Sequence, residues 1–340
     1  MVVPSFNTQK FLPSLIRSLQ NQNLTDWELT VVDDASIDFT VKVVEMFGKY
    51  DKRVRVVSLE KNGGLAHSFS VGVEKAVGEY IILMDSDDYQ ANFYAFDALY
   101  HVAKETNVDY IKSEQAWLYD GVFYHMGQHF TDMPNTVIRI KDYPQNVISG
   151  NYHNIGFRGM HNDMVKAPLM KKVFKDIGDV FKNSKVKPFG YCDAIISTSL
   201  ALNVETIYYL NKYTYYYDNR SKKEEKRSND KVDKDNKNLL MDLNAKLVYL
   251  RVCLRFTDSD EALNKILDRF KSEYEKNNFS KINRYFKEDM IIFCDALEKR
   301  LSETEYFKVK RMESKVDLVK EKCDSIKKAE VTVIYDNGVN

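Results

Sequence analysis

Short apolar runs alternate with amphipathic segments through the first hundred residues. "MVVP" closes a first strand, and "ELTVVDD", "VRVVSLE" and "YIILMD" supply three more. Between them, "FLPSLIRSLQNQ" sets Phe11, Leu12, Leu15, Ile16 and Leu19 at three-to-four spacing, and "FTVKVVEMFGKY" and "GLAHSFSVGVEKAV" keep the helical period. Strands separated by helices of this length predict right-handed βαβ units and a mostly parallel sheet flanked by helices. The run from Tyr80 to Met84 is apolar without alternation, as in a strand buried on both faces.

From about Asp109 the pattern loosens. "DYIKSEQAWLYDGVFYHMG" reads as extended segments around an Asp120-Gly121 turn, and residues 128–162 are rich in Asn, His, Gly and aromatics, the composition of a binding surface. Helical spacing is expected at "MVKAPLMKKVFKDIG" and "CDAIISTSLALN", then a strand at "TIYYL" and an aromatic segment, "KYTYYYDNR". Residues 220–237 are almost devoid of apolar side chains and mix both charges, a linker composition. Residues 238–330 lack Pro and Gly and place Leu239, Leu240, Leu243, Leu247, Leu250 and Leu254, then Ile291, Ile292, Ala296 and Leu297, at helical intervals. The division expected is an α/β domain over 1–219, a charged linker over 220–237, an all-α module over 238–330 and a terminal strand or tail over 331–340. The amphipathic module offers a route to self-association. Only Val2 and Val3 precede Pro4, and "VTVIYDNGV" begins a strand that stops, so the chain reads as a piece of a longer polypeptide.

Charge narrows the partners. Lys plus Arg and Asp plus Glu both number 50, so no global field favours nucleic acid. Cys192, Cys253, Cys294 and Cys323 are widely spaced with no CxxC pair, which predicts reduced thiols and no zinc site. No apolar run reaches the length of a transmembrane helix and no leader pattern opens the chain, which predicts a soluble, cytoplasmic protein.

The candidate chemistry gathers at one edge. "LMDSDD" puts Asp85, Asp87 and Asp88 at the end of the fourth strand, beyond the carboxyl edge where open α/β sheets bind ligands. "VVPSFN" sets Pro4, Ser5, Phe6 and Asn7 after the first strand, "VVDDAS" sets Asp33 and Asp34 after the second, and "EKNGGL" sets Asn62, Gly63 and Gly64 after the third. Taken singly each is an ordinary turn or cap, with Asp34 or Ser36 serving as an N-cap and Asn62-Gly63 as a tight turn. All four occur in one order at one edge.

In that order and spacing, residues 1–90 resemble the nucleotide-sugar-binding half of the family 2 glycosyltransferases, inverting enzymes of the GT-A fold. The resemblance implies a Rossmann-like α/β domain that moves a hexose or N-acetylhexosamine from a UDP-sugar to a hydroxyl of a glycan, wall-polymer or glycoprotein acceptor. UDP-glucose, UDP-N-acetylglucosamine and UDP-galactose are the donors expected. It further implies that Asp85-Ser86-Asp87 is the D-x-D element, with Asp87 the direct ligand of Mn²⁺ or Mg²⁺ and Asp85 nearer the ribose. Oxygen ligands select such hard cations, which neutralise a departing diphosphate. Asp34 is the carboxylate expected to accept from the base, with Asp33 as the alternative, and Pro4, Ser5 and Phe6 line the nucleoside pocket.

The inverting reaction needs a general base for the acceptor hydroxyl. By resemblance Asp193 fills that role in "GYCDAIISTSL", where Cys192 replaces the family's Glu; read alone, Asp193 is equally a helix cap. In "YYYDNRSKK", Arg220, Ser221 and Lys222 match a diphosphate-covering segment, or form a solvated basic loop. Phe69 occupies the position of an Arg common in relatives, which removes that residue as a guide to the donor. His153 and His161 lack a third ligand, and Tyr119, Tyr124, Tyr152 and Phe157 are sugar-stacking candidates or core. Two competing readings are a catalytically inactive UDP-sugar or carbohydrate-binding module and a sugar-phosphate nucleotidyltransferase. "VVPSFNTQK" lacks the Gly-rich opening loop of the latter.

Overall fold

A computed structural model describes residues 1–119, 122–125, 135–139, 162–183, 196–197, 199–200, 203–218, 268, 291, 294–295, 297–299 and 313–328. The first half follows the expected alternation. Strands β1 (Val2–Ser5), β2 (Leu29–Asp33) and β3 (Val54–Ser58) are joined by helices α1 (Leu12–Gln20) and α2 (Thr40–Tyr50) and pair in parallel, with Val3 opposite Val31 and Val31 opposite Val56. Helix α1 buries Leu12, Leu15, Ile16 and Leu19, the stripe its spacing predicts, and carries Pro13 in its first turn, where a missing N–H costs nothing. Helix α3 (Leu65–Lys75) lies so close to the sheet that a Cβ on Gly72 would stand 2.2 Å from Val2 Cγ1 and 3.0 Å from Val32 Cγ2. Only a glycine permits that approach.

Strand β4 (Tyr80–Ile82) continues the sheet through a single parallel bridge from Val2 to Leu83, reinforced by Met84 N donating to Val2 O at 3.1 Å. Pro4 lies beyond that bridge, where it interrupts no ladder bond on that side. The remaining strands are β5 (Tyr89–Gln90), β6 (Tyr110–Tyr119), β7 (Val122–His125), β8 (Val137–Arg139), β9 (Met164–Lys166) and β10 (Thr206–Asp218). They form a sheet ordered β4-β9-β6-β10-β5, with β7 on β6 and β8 on β10. Helix α4 (Ala95–Thr106) buries Ala95, Phe96, Leu99, Val102 and Ala103 against it.

The sheet is therefore mixed, a correction to the mostly parallel arrangement expected. Strand β9 is antiparallel to both β4 and β6 and separates them. Its residues, Met164–Lys166, were expected to be helical; Val165 is instead fully buried between its neighbours, and α5 (Ala167–Asn183) begins only at Ala167-Pro168. The extended segments around Asp120-Gly121 do pair as a hairpin, with Tyr119 opposite Val122. The expected strand at "TIYYL" and the aromatic segment after it form one strand, β10, which holds a bulge where its register against β6 shifts between Leu210 and Tyr215.

In the C-terminal region, α6 (Glu313–Lys328) is helical, Cys294, Leu297 and Cys323 are buried, and Lys327 pairs with Asp295 at 2.9 Å and Glu298 at 3.3 Å. Cys294 and Cys323 are free thiols; Cys192 and Cys253 lie outside the described residues. Among the described residues no helix is long and apolar enough to cross a membrane.

Candidate active site

The carboxyl edge of β1, β2 and β3 carries three loops that hydrogen bonds lace together. Asn7, in the left-handed region at φ 57°, donates its N–H to Ser36 Oγ at 2.9 Å, and its side-chain oxygen accepts from Ile37 N at 2.9 Å. Ser5 is buried and its hydroxyl lies 2.5 Å from that of Thr8, while Ser5 O accepts from Asp34 N at 2.8 Å. Pro4 is buried with it, whereas Phe6 is 48% exposed at the rim.

Asp34 ties the second loop to the third. Its carboxylate accepts Gly63 N at 2.6 Å and Gly64 N at 2.8 Å, and its carbonyl accepts from Asn62 Nδ2 at 3.3 Å. Gly64, at φ 85°, then opens α3 in a conformation that disfavours any side chain. Asp33 differs. It is 2% exposed, its Oδ2 accepts Ser36 N at 3.3 Å, and its Oδ1 is buried with no hydrogen-bond partner among the described residues. A buried carboxylate oxygen without a donor costs free energy unless a ligand supplies one.

The acidic turn closes the edge. Asp88 N reaches back to Asp85 O at 3.4 Å, and Asp85, Asp87 and Asp88 each present a carboxylate oxygen within 4.8 Å of the others. Asp85 and Asp87 are part-exposed, while Asp88 is 1% exposed. Tyr215 OH donates to Asp88 Oδ2, and Asp218 N donates to Asp88 Oδ1 at 2.8 Å. Burial lifts the Asp88 carboxyl well above the ordinary carboxylate range, and the neighbouring charges of Asp87 and Asp85 push it further. The cluster thus sorts itself into two accessible carboxylates and one anchored to β10, and a cation bound there would relieve the repulsion among them.

Behind the turn lies a polar network that sequence reasoning missed. Asn162, at φ 59°, donates from its backbone to Leu83 O at 2.8 Å and from its side chain to Thr214 Oγ1 at 2.7 Å, and accepts from Gln90 Nε2 at 2.6 Å. Next to it, Asp163 accepts from Lys112 Nζ at 2.8 Å and from Tyr110 OH, with the Lys112 and Asp163 side chains 2% and 1% exposed. This network joins β4, β5, β6 and β10 beneath the acidic turn. The signal available was the Asn162-Asp163 pair that precedes a strand, a polar couple that cannot be buried without partners.

Not every expected site residue is placed. Asp193, Arg220, Ser221, Lys222, His153, His161, Tyr152 and Phe157 lie outside the described residues. Tyr119 and Tyr124 lie on the β6–β7 hairpin. Phe69 is fully buried in α3, so that position serves the core here. The edge itself assembles Pro4, Ser5 and Asp33 from the ends of β1 and β2 with Asn7, Asp34, Asn62, Gly64, Asp85, Ser86 and Asp87 from the four segments that follow β1 to β4.

The family model for "Glycosyl transferase family 2" matches residues 1–167. Among curated relatives, the putative teichuronic acid biosynthesis glycosyltransferase TuaG of Bacillus subtilis (strain 168) is 35% identical over 88 residues, covering 26% of this chain and 35% of its own. Glycosyltransferase GlyG of Streptococcus pneumoniae serotype 4 is 34% identical over 136 residues, covering 38% of this chain and 44% of its own. The chain therefore spans less than half the length of these relatives. The crystal structure of S. aureus TarS 1-349 superposes with a TM-score of 0.58 at 20% identity, covering 96% of this chain and 90% of that one. That likeness is one of fold, and it makes the mixed-sheet α/β architecture GT-A-like.

Proposed function

We propose that the chain is a metal-dependent, inverting glycosyltransferase that moves a hexose or N-acetylhexosamine from a UDP-sugar to a hydroxyl of a glycan, wall-polymer or glycoprotein acceptor. The observation that carries the reading is the convergence of two accessible carboxylates, Asp85 and Asp87, with the loops after β1, β2 and β3 at one sheet edge of the segment that the family 2 model matches. TuaG and GlyG are named as glycosyltransferases, and TarS has a structure in complex with UDP-GlcNAc, which supports a UDP-sugar as donor.

Asp87 and Asp85 are the residues to hold Mn²⁺ or Mg²⁺, an ion that would offset the charge of a leaving diphosphate. Asp88, committed to Tyr215 and Asp218, positions the turn and is not a ligand. Ser5, Phe6 and Asn7 flank the nucleoside. The base imide is read at the Asp33-Asp34 step, where Asp33 Oδ1 lacks a donor and Asp34 already holds the third loop. Asp193 takes the acceptor hydroxyl's proton and Arg220 and Ser221 cover the diphosphate, both resting on their sequence motifs. The domain division is that expected from composition, with residues 238–330 as a helical accessory module. Burial of Cys294, Leu297 and Cys323 between helical segments supports that module.

Calorimetric titration with UDP, UDP-glucose, UDP-N-acetylglucosamine and UDP-galactose tests the reading. Manganese-dependent binding is expected in the wild type and lost in Asp87→Ala. A folded protein that binds none of the four with manganese present refutes it.

A further inference from the structure

Outside the acidic edge, the outer face of α4 and the bulge of β10 enclose a shallow cleft of about 490 Å³, lined by Tyr94, Asp97, Tyr100, His101, Lys104 and Lys212. Its walls are fixed. The register of β10 against β6 jumps from Leu210–Ser113 to Tyr213–Glu114 and then Tyr215–Gln115, so Asn211 and Lys212 have no counterpart on β6 and are exposed. Asn92 Nδ2 donates to Tyr213 O at 2.8 Å and Ala91 N to Thr214 O at 2.9 Å, pinning the bulge to the turn before α4. Asn92 Oδ1 accepts Tyr94 N at 2.9 Å, which sets the start of the helix. Bulges of this kind re-aim side chains, and this one brings Lys212 over α4.

The lining has one chemistry. Tyr94 is 63% exposed, a flat apolar ring with a polar tip held at a fixed point of backbone. Tyr100 stands edge-on to Tyr80 with centroids 6.3 Å apart. Asp97 and Lys212 make no hydrogen bond or ion pair among the described residues, so one acceptor and one donor border the rings. Lys104 pairs with Glu79 at 3.3 Å and His101 Nε2 lies 3.0 Å from Glu105 Oε1, so both side chains already have an acidic partner. Aromatic rings beside a lone carboxylate and a lone amine suit a sugar, whose C–H face stacks and whose hydroxyls both give and accept hydrogen bonds. The cleft is also near the chemistry. Tyr94 follows Asp88 by six residues and Lys212 precedes Asp218 by six, so each lies within roughly 20 Å of the acidic turn at the reach of an extended chain.

We propose that this cleft is a second glycan-binding site, which stacks a neutral or N-acetylated pyranose of the acceptor chain on Tyr94, with Asp97 and Lys212 bonding its hydroxyls. The proposal rests on the acceptor being a glycan. The full chain is titrated with β-1,4-linked tetramers of glucose and of N-acetylglucosamine, observed by saturation-transfer NMR and calorimetry. Binding of at least one tetramer is expected, weakened about tenfold by Tyr94→Ala, retained by Tyr94→Phe and weakened by Asp97→Asn. Manganese-dependent UDP binding stays unchanged in all three variants. Failure of both tetramers to bind a folded protein overturns the proposal, as does binding indifferent to Tyr94→Ala. Tetramer binding without any UDP binding would instead remove the donor reading and leave the cleft standing.

Discussion

Replacing Lys112 by Met removes one half of an ion pair that has no access to water. Lys112 Nζ lies 2.8 Å from Asp163 Oδ2, and the two side chains are 2% and 1% exposed. Methionine fills the volume of the lysine stem but leaves the carboxylate with Tyr110 OH as its remaining described charge-stabilising donor on that oxygen. Breaking one side of a buried pair costs about 3–5 kcal/mol, because the surviving charge stays desolvated. At about 2–4 °C per kcal/mol for a domain of this class, the melting temperature falls by about 6 °C or more. The double variant Lys112→Met with Asp163→Asn removes both charges while keeping an oxygen for Tyr110, and should return to within about 1 kcal/mol of the wild type. Urea midpoints for the four proteins of this cycle, with melting scans alongside, provide the assay. A Lys112→Met protein within about 0.5 kcal/mol of wild type, or a double variant less stable than that single one, refutes the account of the pair as a mutually compensated buried charge.

Asp51 is held by Arg53 through Nε at 2.9 Å and Nη2 at 2.9 Å, and this bond above all keeps its carboxyl far below the ordinary range. A depressed carboxylate contributes above its unfolded value of about 3.9, so Asp51→Asn should cost about 1 kcal/mol at neutral pH, with the gap closing as the pH falls below about 4 in pH-dependent urea unfolding. Gly72→Ala forces a methyl group against Val2 and Val32 and should cost about 1–3 kcal/mol by thermal melting, with partial recovery on adding Val2→Ala. Asp88→Ala strands Tyr215 OH and Asp218 N; it should lower stability by about 2–3 kcal/mol and weaken manganese-dependent UDP binding in calorimetry, whereas Tyr215→Phe should cost about 1 kcal/mol.

Periodicity makes the first half of the fold legible. Helix α1 and strands β1 to β4 lie where their apolar spacing puts them, because a helix stripe and a buried parallel strand are local patterns. The acidic turn and the three loops beside it are legible for the same reason, each being a short string at a strand end. The failures are non-local. Met164–Lys166 is three residues long and adjoins a true helix, so only pairing with β4 and β6 decides its state, although Pro168 in the first turn of α5 is a usable start signal. Helix α4 carries its stripe of Ala95, Phe96, Leu99 and Val102 in the sequence, but the exposed Phe93 and Tyr94 just before it blur where the apolar face begins. Nothing local separates Asp88 from Asp85 or Asp87, because what distinguishes it is contributed by β10.

That last contact sets a lower limit on the working unit. Tyr215 and Asp218 lie 127 and 130 residues beyond Asp88, whereas the family match ends at residue 167. During synthesis the acidic turn is made early but stays unanchored until β10 has emerged and docked, and such distant pairings form slowly. A chain cut at the family boundary would keep the motifs that follow β1 to β4 and still hold a buried carboxyl with neither of its donors. Motif content and structural completeness are separate properties here, and an excised version of this domain should be drawn to include at least residue 218.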